Sequence, residues 1–204
     1  MHAQPTLLGQ WGVPQQEVIR NGVASGNLPR GLVLKVSFLT IDLGTNEEVG
    51  KVVMKKAIIV DVDLTLVGDT PFDMERCHNF SYLKEWHVNT LQAEKLEVGV
   101  ELVKFFHGAG FDLVIMTARD VTGRGELMMK LKELGIHRLF TEVLMRESVD
   151  NGKPSDYVKG KMIDAVAGKY KFLFAMDDAN HNLYRGRGIK IFDANNWNGK
   201  EVNS

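Results

Sequence analysis

From residue 55 onward the chain alternates short apolar runs with amphipathic stretches, and this alternation constrains the fold more than any other feature. The apolar runs are AIIV (57–60), LVIM (113–116), FTEVLM (140–145), FLFAM (172–176) and IKIF (189–192). Helical patterns occupy 97–107, 124–134, 156–167 and 180–186. Repeated strand and helix predict an α/β fold, a Rossmann-like parallel sheet with helices on both faces. Ligands of such sheets bind at the carboxyl ends of the strands, so the residues after each apolar run are the first candidates for a site.

The composition is that of an ordinary globular protein. The 204 residues are 44% hydrophobic and carry a net charge of -1, which excludes a disordered tail and a global basic field for nucleic acid or anionic lipid. The one cysteine, Cys77, cannot form an internal disulfide and is expected to be a small buried hydrophobic residue. The longest apolar stretch, 31–41, is too short to span a bilayer, and the amino terminus lacks a secretory pattern. We therefore expect a cytoplasmic protein with no membrane partner.

Residues 1–53 differ from the rest and form a separate extension. They contain LVLKVSFLTIDL, a turn at 44–46 and EEVGKVV, which predict a β-hairpin attached to the sheet. Alternatively, this extension is a leader outside the native product, because Met54 before the first sheet strand resembles a translation start. GTNEEVGK at 44–51 resembles a phosphate-binding Walker A loop, but the spacing of its glycines is wrong and Val52 replaces the metal-binding hydroxyl. The main domain is then 54–204.

The stretch 66–96, between the first strand and the next helical pattern, is predicted to be a short irregular flap that gives the site a minimal cap. Acidic residues outnumber basic ones in it: Asp69, Asp73, Glu75, Glu85 and Glu94 against Arg76, Lys84 and Lys95. So short a flap leaves room for a bulky substrate, whereas its charge would repel a long phosphodiester backbone.

Two acidic pairs follow strands of the predicted sheet. Asp61 and Asp63 come directly after the first apolar run, and Asp177 and Asp178 come directly after the fourth. Taken alone, the second pair would cap the following helix. Carboxylates gathered beside buried strands are costly unless a cation offsets them. An all-oxygen site with no Cys or His favours Mg²⁺, so the sequence predicts a magnesium site at this edge of the sheet.

Hydroxyl and basic groups follow the same pattern. Thr117 and Arg119 follow the second apolar run, where they could bind phosphate oxygens or be an ordinary helix cap and a surface charge. Before the fourth strand, a lysine in the helix that begins near 156 could neutralise a transferring phosphoryl group. Lys159 is the first candidate and Lys153 the second, with Lys161 as a further alternative. Each of these lysines could equally lie on a solvated helix face.

The order of these features resembles the haloacid dehalogenase superfamily of phosphotransferases: DxDxT after a strand, Thr at a second strand end, Lys in a helix and DD after a fourth strand. Within it, PFDMERC at 71–77, TAR at 117–119 and the Lys159 to Asp177 spacing are similar to the 3′-phosphatase domain of phage-type polynucleotide kinases. Leu64 stands where these proteins usually have glycine, which predicts an unstrained backbone there.

The resemblance implies a role for each motif residue. Asp61 would be the nucleophile and Asp63 the general acid and base. Thr117 and Lys159 would hold the phosphoryl oxygens, while Thr65, Arg119 and Lys153 would contact the substrate. The magnesium ligands would be Asp61, Asp63 through its backbone carbonyl, Asp177 and Asp178.

These roles predict a Mg²⁺-dependent phosphomonoesterase that acts through an aspartyl-phosphate intermediate on nucleic-acid 3′-phosphate ends or nucleotides. Covalent catalysis with charge neutralisation suits phosphate monoesters because they hydrolyse so slowly unaided. One alternative is a phosphatase of small mononucleotides, either a 5′- or a 3′-deoxynucleotidase. Another is a catalytically silent module that uses its carboxylates only to bind metal. The oligomeric state is not predicted.

Overall fold

The structure, a computed structural model, describes residues 54–197. Five parallel strands form one sheet in the order β3-β2-β1-β4-β5. The strands are β1 (Lys55–Val60), β2 (Asp112–Asp120), β3 (Phe140–Arg146), β4 (Tyr170–Asp177) and β5 (Lys190–Asp193). The α-helices are α1 (Phe80–Asn89), α2 (Glu97–Gly108), α3 (Arg124–Glu133), α4 (Ser155–Ala165) and α5 (His181–Gly186). The predicted α/β fold with a parallel sheet is confirmed.

Helices cover both faces of the sheet because the central strand is buried on both. Ile58 and Val60 of β1 belong to a core that includes apolar residues of α2 and α3. Ala57 and Ile59, which point to the opposite face, belong to a second core with residues of α4 and α5. The central position of β1, between β2 and β4, brings the carboxyl ends of these three strands together. This edge is where the motif residues gather.

The prediction that 66–96 is irregular is wrong, because α1 lies inside this stretch. Asn79 caps the helix by accepting a hydrogen bond from the Tyr82 backbone N–H at 3.0 Å. Leu83, Trp86 and His87 are the buried residues of α1, and their spacing of three and four residues places them on one face. Short 3₁₀ turns at Met74–Arg76 and Thr90–Gln92 flank the helix. The flap is therefore a helical segment, and α1 packs against α3.

Two further expectations can be compared with the described residues. Cys77 is buried, as predicted for a small hydrophobic residue. The predicted hairpin, the alternative leader and the Walker-like loop at 44–51 all lie outside residues 54–197. Within that range, none of the helices has the length and apolar content needed to cross a membrane.

Candidate active site

The loop after β1 presents the first acidic pair. The Asp61 backbone N–H donates to the Met176 carbonyl of β4 at 2.9 Å, which holds the loop against the neighbouring strand. The Val62 carbonyl then accepts the backbone N–H groups of residues 65–67, so the chain turns tightly. The prediction of an unstrained backbone at Leu64 is wrong, because Leu64 has φ +55° in the left-handed region. That conformation costs a non-glycine residue about 1 kcal/mol, which the surrounding turn must offset.

Three of the four predicted carboxylates form one cluster. Oxygens of Asp61, Asp177 and Asp178 lie within 4.8 Å of one another. The Lys159 ammonium lies between two of them, 3.0 Å from Asp61 Oδ2 and 2.7 Å from Asp177 Oδ2. Lys159 comes from α4, which packs on the face of the sheet opposite α2 and α3. Residues from a loop, a strand end and a helix therefore meet at one point.

The Asp177 carboxylate accepts hydrogen bonds from four groups of the protein. Its Oδ2 accepts from Lys159 and from the Tyr184 hydroxyl at 2.6 Å, and its Oδ1 accepts from the Ala179 backbone N–H at 2.9 Å. The Asn180 amide adds a fourth contact at 3.3 Å. These donors fix the orientation of Asp177 and, through it, the position of the Lys159 ammonium.

Asp61 is the opposite case. Among residues 54–197, no hydrogen-bond partner reaches its buried Oδ1. Burial raises the pKa of Asp61 well above its ordinary value, Lys159 opposes that shift, and Asp177 and Asp63 reinforce it. A buried carboxylate in this position needs a cation to stay ionised. The donor set, made of carboxylate oxygens without sulfur or imidazole, fits the hard ion Mg²⁺.

Asp63 belongs to a different network from the other three acids. Arg119 Nε donates to Asp63 Oδ2 at 2.8 Å and Arg119 Nη2 donates to Asp63 Oδ1, so the guanidinium grips the carboxylate with two bonds. The Thr70 hydroxyl donates to Asp63 Oδ1 at 2.8 Å. The side chain of Asp63 keeps 31% of its surface exposed while that of Arg119 keeps 2%. Asp63 thus faces outward from a fixed, buried support.

Arg119 itself is held on every side. Its Nη1 donates to Thr90 Oγ1, its Nη2 donates to Thr70 Oγ1 at 2.7 Å, and its guanidinium stacks 4.5 Å from the centre of the Trp86 ring. The alternative of a helix cap and a surface charge is wrong, because Thr117 and Arg119 are both buried residues of β2. Two residues apart on a strand, they share a face. The Thr117 hydroxyl accepts from the Arg119 backbone N–H at 3.2 Å.

The remaining predicted residues divide into those near the cluster and those away from it. Thr65 is fully buried, and within the described residues its Oγ1 has no hydrogen-bond partner. Lys153 is exposed just before α4, and its carbonyl accepts from Arg146 Nη1 at 2.7 Å. Lys161 pairs with Asp150 and keeps 52% of its side chain exposed. Of the three candidate lysines, Lys159 is the one with its ammonium in the acidic cluster.

Four residues of the site were not predicted from the sequence: Tyr184, Thr70, Thr90 and Trp86. Tyr184 lies seven residues after Asp177 on the predicted helix at 180–186, so its direction toward the strand end could have been inferred from helical periodicity. The other three lie in the flap, and the sequence of the flap does not indicate that they contact Arg119. An open cavity of about 460 Å³ lies between the start of α4 and the segment that begins at Ala179, and none of the acidic residues of the cluster lines it.

Comparison with known proteins adds independent findings. A family model described as the polynucleotide kinase PNKP phosphatase domain matches residues 55–198. No curated protein sequence matches the chain.

Several solved structures resemble the chain. One is a chain in the Pnkp1/Rnl/Hen1 complex, with 20% identity and a TM-score of 0.58, covering 70% of this chain and 47% of that one. A second, from the Pnkp1/Rnl/Hen1 RNA repair complex, has 21% identity, a TM-score of 0.57 and coverage of 69% and 42%. The class C acid phosphatase from Bacillus anthracis has 16% identity, a TM-score of 0.51 and coverage of 69% and 66%. The chain spans less than half the length of the first two, and the similarity shows a shared fold.

Proposed function

The chain belongs to the PNKP phosphatase-domain family of haloacid dehalogenase phosphatases, and from this premise we propose that it is a Mg²⁺-dependent phosphomonoesterase of nucleic-acid 3′-phosphate ends or nucleotides. That it is a phosphatase follows from the family. The metal, the covalent intermediate and the substrate are the parts we propose. The observation that carries the proposal is the buried Oδ1 of Asp61, which has no hydrogen-bond partner among residues 54–197 and belongs to the carboxyl group that contacts the Lys159 ammonium.

In the first half-reaction Asp61 Oδ1 attacks the phosphorus atom. A bond forms between this oxygen and phosphorus, and the bond from phosphorus to the ester oxygen breaks. Asp63 would enter as a carboxylic acid, with one oxygen still held by Arg119 and the other, protonated and released from the guanidinium, donating its proton to the departing alkoxide. Lys159 stabilises the negative charge on the equatorial phosphoryl oxygens, and the Thr117 hydroxyl lies at the neighbouring strand end to bind one of them. The products are an alcohol and aspartyl-phosphate on Asp61.

In the second half-reaction Asp63, now a carboxylate, takes a proton from water. The water oxygen attacks phosphorus, the bond to Asp61 breaks, and inorganic phosphate leaves. Arg119 and Thr70 orient the Asp63 carboxylate for this step. Asp61, Asp178 and Asp177 are the side chains that would hold Mg²⁺, and the bound ion would offset the repulsion between the Asp61 carboxylate and the phosphate dianion.

The substrate class rests on the family and on the charge of the flap. The family and the RNA repair complex among the similar structures both favour nucleic-acid ends. The acidic excess in 66–96 favours small mononucleotides, because it would repel a long phosphodiester chain. Both observations are consistent with a site that binds one phosphorylated nucleoside. The rest of a nucleic-acid substrate would then extend into solvent.

Phosphate release from a panel of compounds tests the proposal. The panel holds nucleoside 3′- and 5′-monophosphates and oligonucleotides with 3′-phosphate ends, each assayed with Mg²⁺ and with EDTA. We expect Mg²⁺-dependent release from 3′-phosphates and none from an Asp61→Asn variant that keeps the wild-type circular dichroism spectrum. Removal of a covalent nucleophile should lower kcat at least about 10⁴-fold. Substantial turnover by Asp61→Asn would exclude Asp61 as the nucleophile, and equal turnover in EDTA would exclude the metal.

A further inference from the structure

A series of side chains in contact runs from the protein surface to Asp63. The Phe72 ring lies 4.6 Å from the Trp86 ring, and the Trp86 ring lies 4.5 Å from the Arg119 guanidinium. Arg119 Nε donates to Asp63 Oδ2 at 2.8 Å. Only one aromatic ring and one guanidinium therefore separate Phe72 from the candidate general acid.

The support behind Phe72 is fixed, although Phe72 itself reaches the solvent. Trp86 Nε1 donates to the Thr70 carbonyl at 2.9 Å. Because Thr70 is only two residues before Phe72, this bond fixes the indole ring relative to the segment that carries Phe72. The Tyr82 ring lies 5.7 Å from Phe72, and its hydroxyl accepts from the Asp73 backbone N–H. Phe72 keeps 36% of its surface exposed. A pre-positioned, partly exposed ring beside a catalytic centre is a surface on which a planar group can stack without loss of side-chain entropy.

We infer that Phe72 is the stacking face for one nucleobase, that of the nucleoside whose phosphate is removed. This inference rests on the proposed function and adds the element of the substrate that the protein contacts beyond the phosphate. A nucleobase is the occupant because every base offers a π-face, so stacking binds nucleotides without selecting among them. The acidic excess of the flap disfavours a track for further phosphates, which confines recognition to a single nucleoside.

A pair of substrates that differ only in the base tests the inference. Thymidine 3′-monophosphate carries the base, and 1,2-dideoxyribose 3-phosphate has hydrogen in its place. The readout is the ratio of the two kcat/KM values for wild type, Phe72→Leu and Phe72→Tyr. Since base stacking on an aromatic ring is commonly worth enough to change affinity about tenfold, Phe72→Leu should lower this ratio about tenfold, mainly through KM. Phe72→Tyr, which keeps the ring, should retain the wild-type ratio.

Phe105→Leu is the matched control, because Phe105 is an exposed phenylalanine on α2. It should leave the ratio unchanged. If Phe72→Leu lowers both kcat/KM values equally, or changes neither, the stacking face is refuted while the proposed function stands.

A binding measurement separates the two hypotheses further. Calorimetric titration of thymidine 3′-monophosphate into Asp61→Asn, with and without Phe72→Leu, reports stacking without turnover. About tenfold weaker binding in the double variant supports the inference, and equal binding overturns it. Failure of the wild type to release phosphate from thymidine 3′-monophosphate would instead count against the proposed function.

Discussion

Replacing Lys159 by methionine should damage the protein in two ways that are measurable separately. The Lys159 ammonium is buried between Asp61 and Asp177, at 3.0 and 2.7 Å. At an effective dielectric constant of about 20, each separation corresponds to an attraction of about 5 to 6 kcal/mol, much of which offsets the desolvation of the three charges. Methionine has nearly the same volume but no charge. The variant therefore leaves two buried carboxylates without their cation.

Breaking a buried ion pair by removal of one partner costs about 3 to 5 kcal/mol. We expect Lys159→Met to lower the free energy of unfolding by this amount, measured by urea denaturation in EDTA at pH 7.5. The rate of phosphate release should fall by about 10²- to 10³-fold, because the ammonium no longer stabilises charge on the phosphoryl oxygens. Phosphate release is assayed with an aryl phosphate in excess Mg²⁺, at a temperature where the variant is folded.

Lys161→Met is the matched control, since Lys161 is on the same helix but largely exposed. It should lose far less stability than Lys159→Met, because its pair with Asp150 has one exposed partner, and it should turn over like the wild type. The double variant Lys159→Met with Asp61→Asn should regain part of the lost stability, because it removes one of the two uncompensated charges. Equal stability and activity of Lys159→Met and Lys161→Met would refute the reasoning that Lys159 neutralises the cluster.

Three other predictions follow from particular contacts. Tyr184→Phe removes one donor from Asp177, so it should lower the free energy of unfolding by about 1 kcal/mol in urea denaturation. It should also raise the Mg²⁺ concentration that gives half-maximal activity. An unchanged Mg²⁺ requirement would show that Tyr184 serves only in packing. Gly99→Ala would place a methyl group 1.9 Å from a backbone oxygen of the loop after β1 and should destabilise the fold by about 1 to 3 kcal/mol. At Gly108, on the same helix, an added methyl group has no atom within 4 Å among the described residues apart from its own stretch of helix, so Gly108→Ala should not destabilise the fold. Burial and a neighbouring guanidinium lower the pKa of His87 below its ordinary 6.5. Below about pH 6.5 the unfolded chain therefore binds more protons than the folded protein, so the free energy of unfolding falls as the pH drops. His87→Gln should reduce this pH dependence, measured by urea denaturation at pH 5.5 and 7.5. An identical pH dependence in the variant and the wild type would contradict this assignment.

The sequence anticipated the sheet and the acidic cluster for the same reason. Apolar runs of four or five residues have to be buried, and when helices alternate with them the strands run parallel. Acids placed directly after two such runs then have to meet at the carboxyl edge of the sheet. Asp61, Asp177 and Asp178 meet in this way. The helix α1 was not anticipated, because its buried positions are interspersed with charged residues and its segment begins with turn-forming ones.

The partners of individual side chains could not be predicted from the sequence in the same way, because they depend on how the helices pack. The sequence determined by itself that this chain forms a parallel α/β sheet with acids, a threonine and a lysine at one edge, since burial of apolar strands admits few other arrangements. The tertiary structure alone decided which lysine of the α4 segment enters the cluster and that Arg119 grips Asp63. It also decided that Leu64 takes a left-handed conformation. The first two outcomes depend on the rotation of α4 and on contacts between segments far apart in the chain, Lys159 with Asp61 and Arg119 with Asp63, which no local pattern encodes.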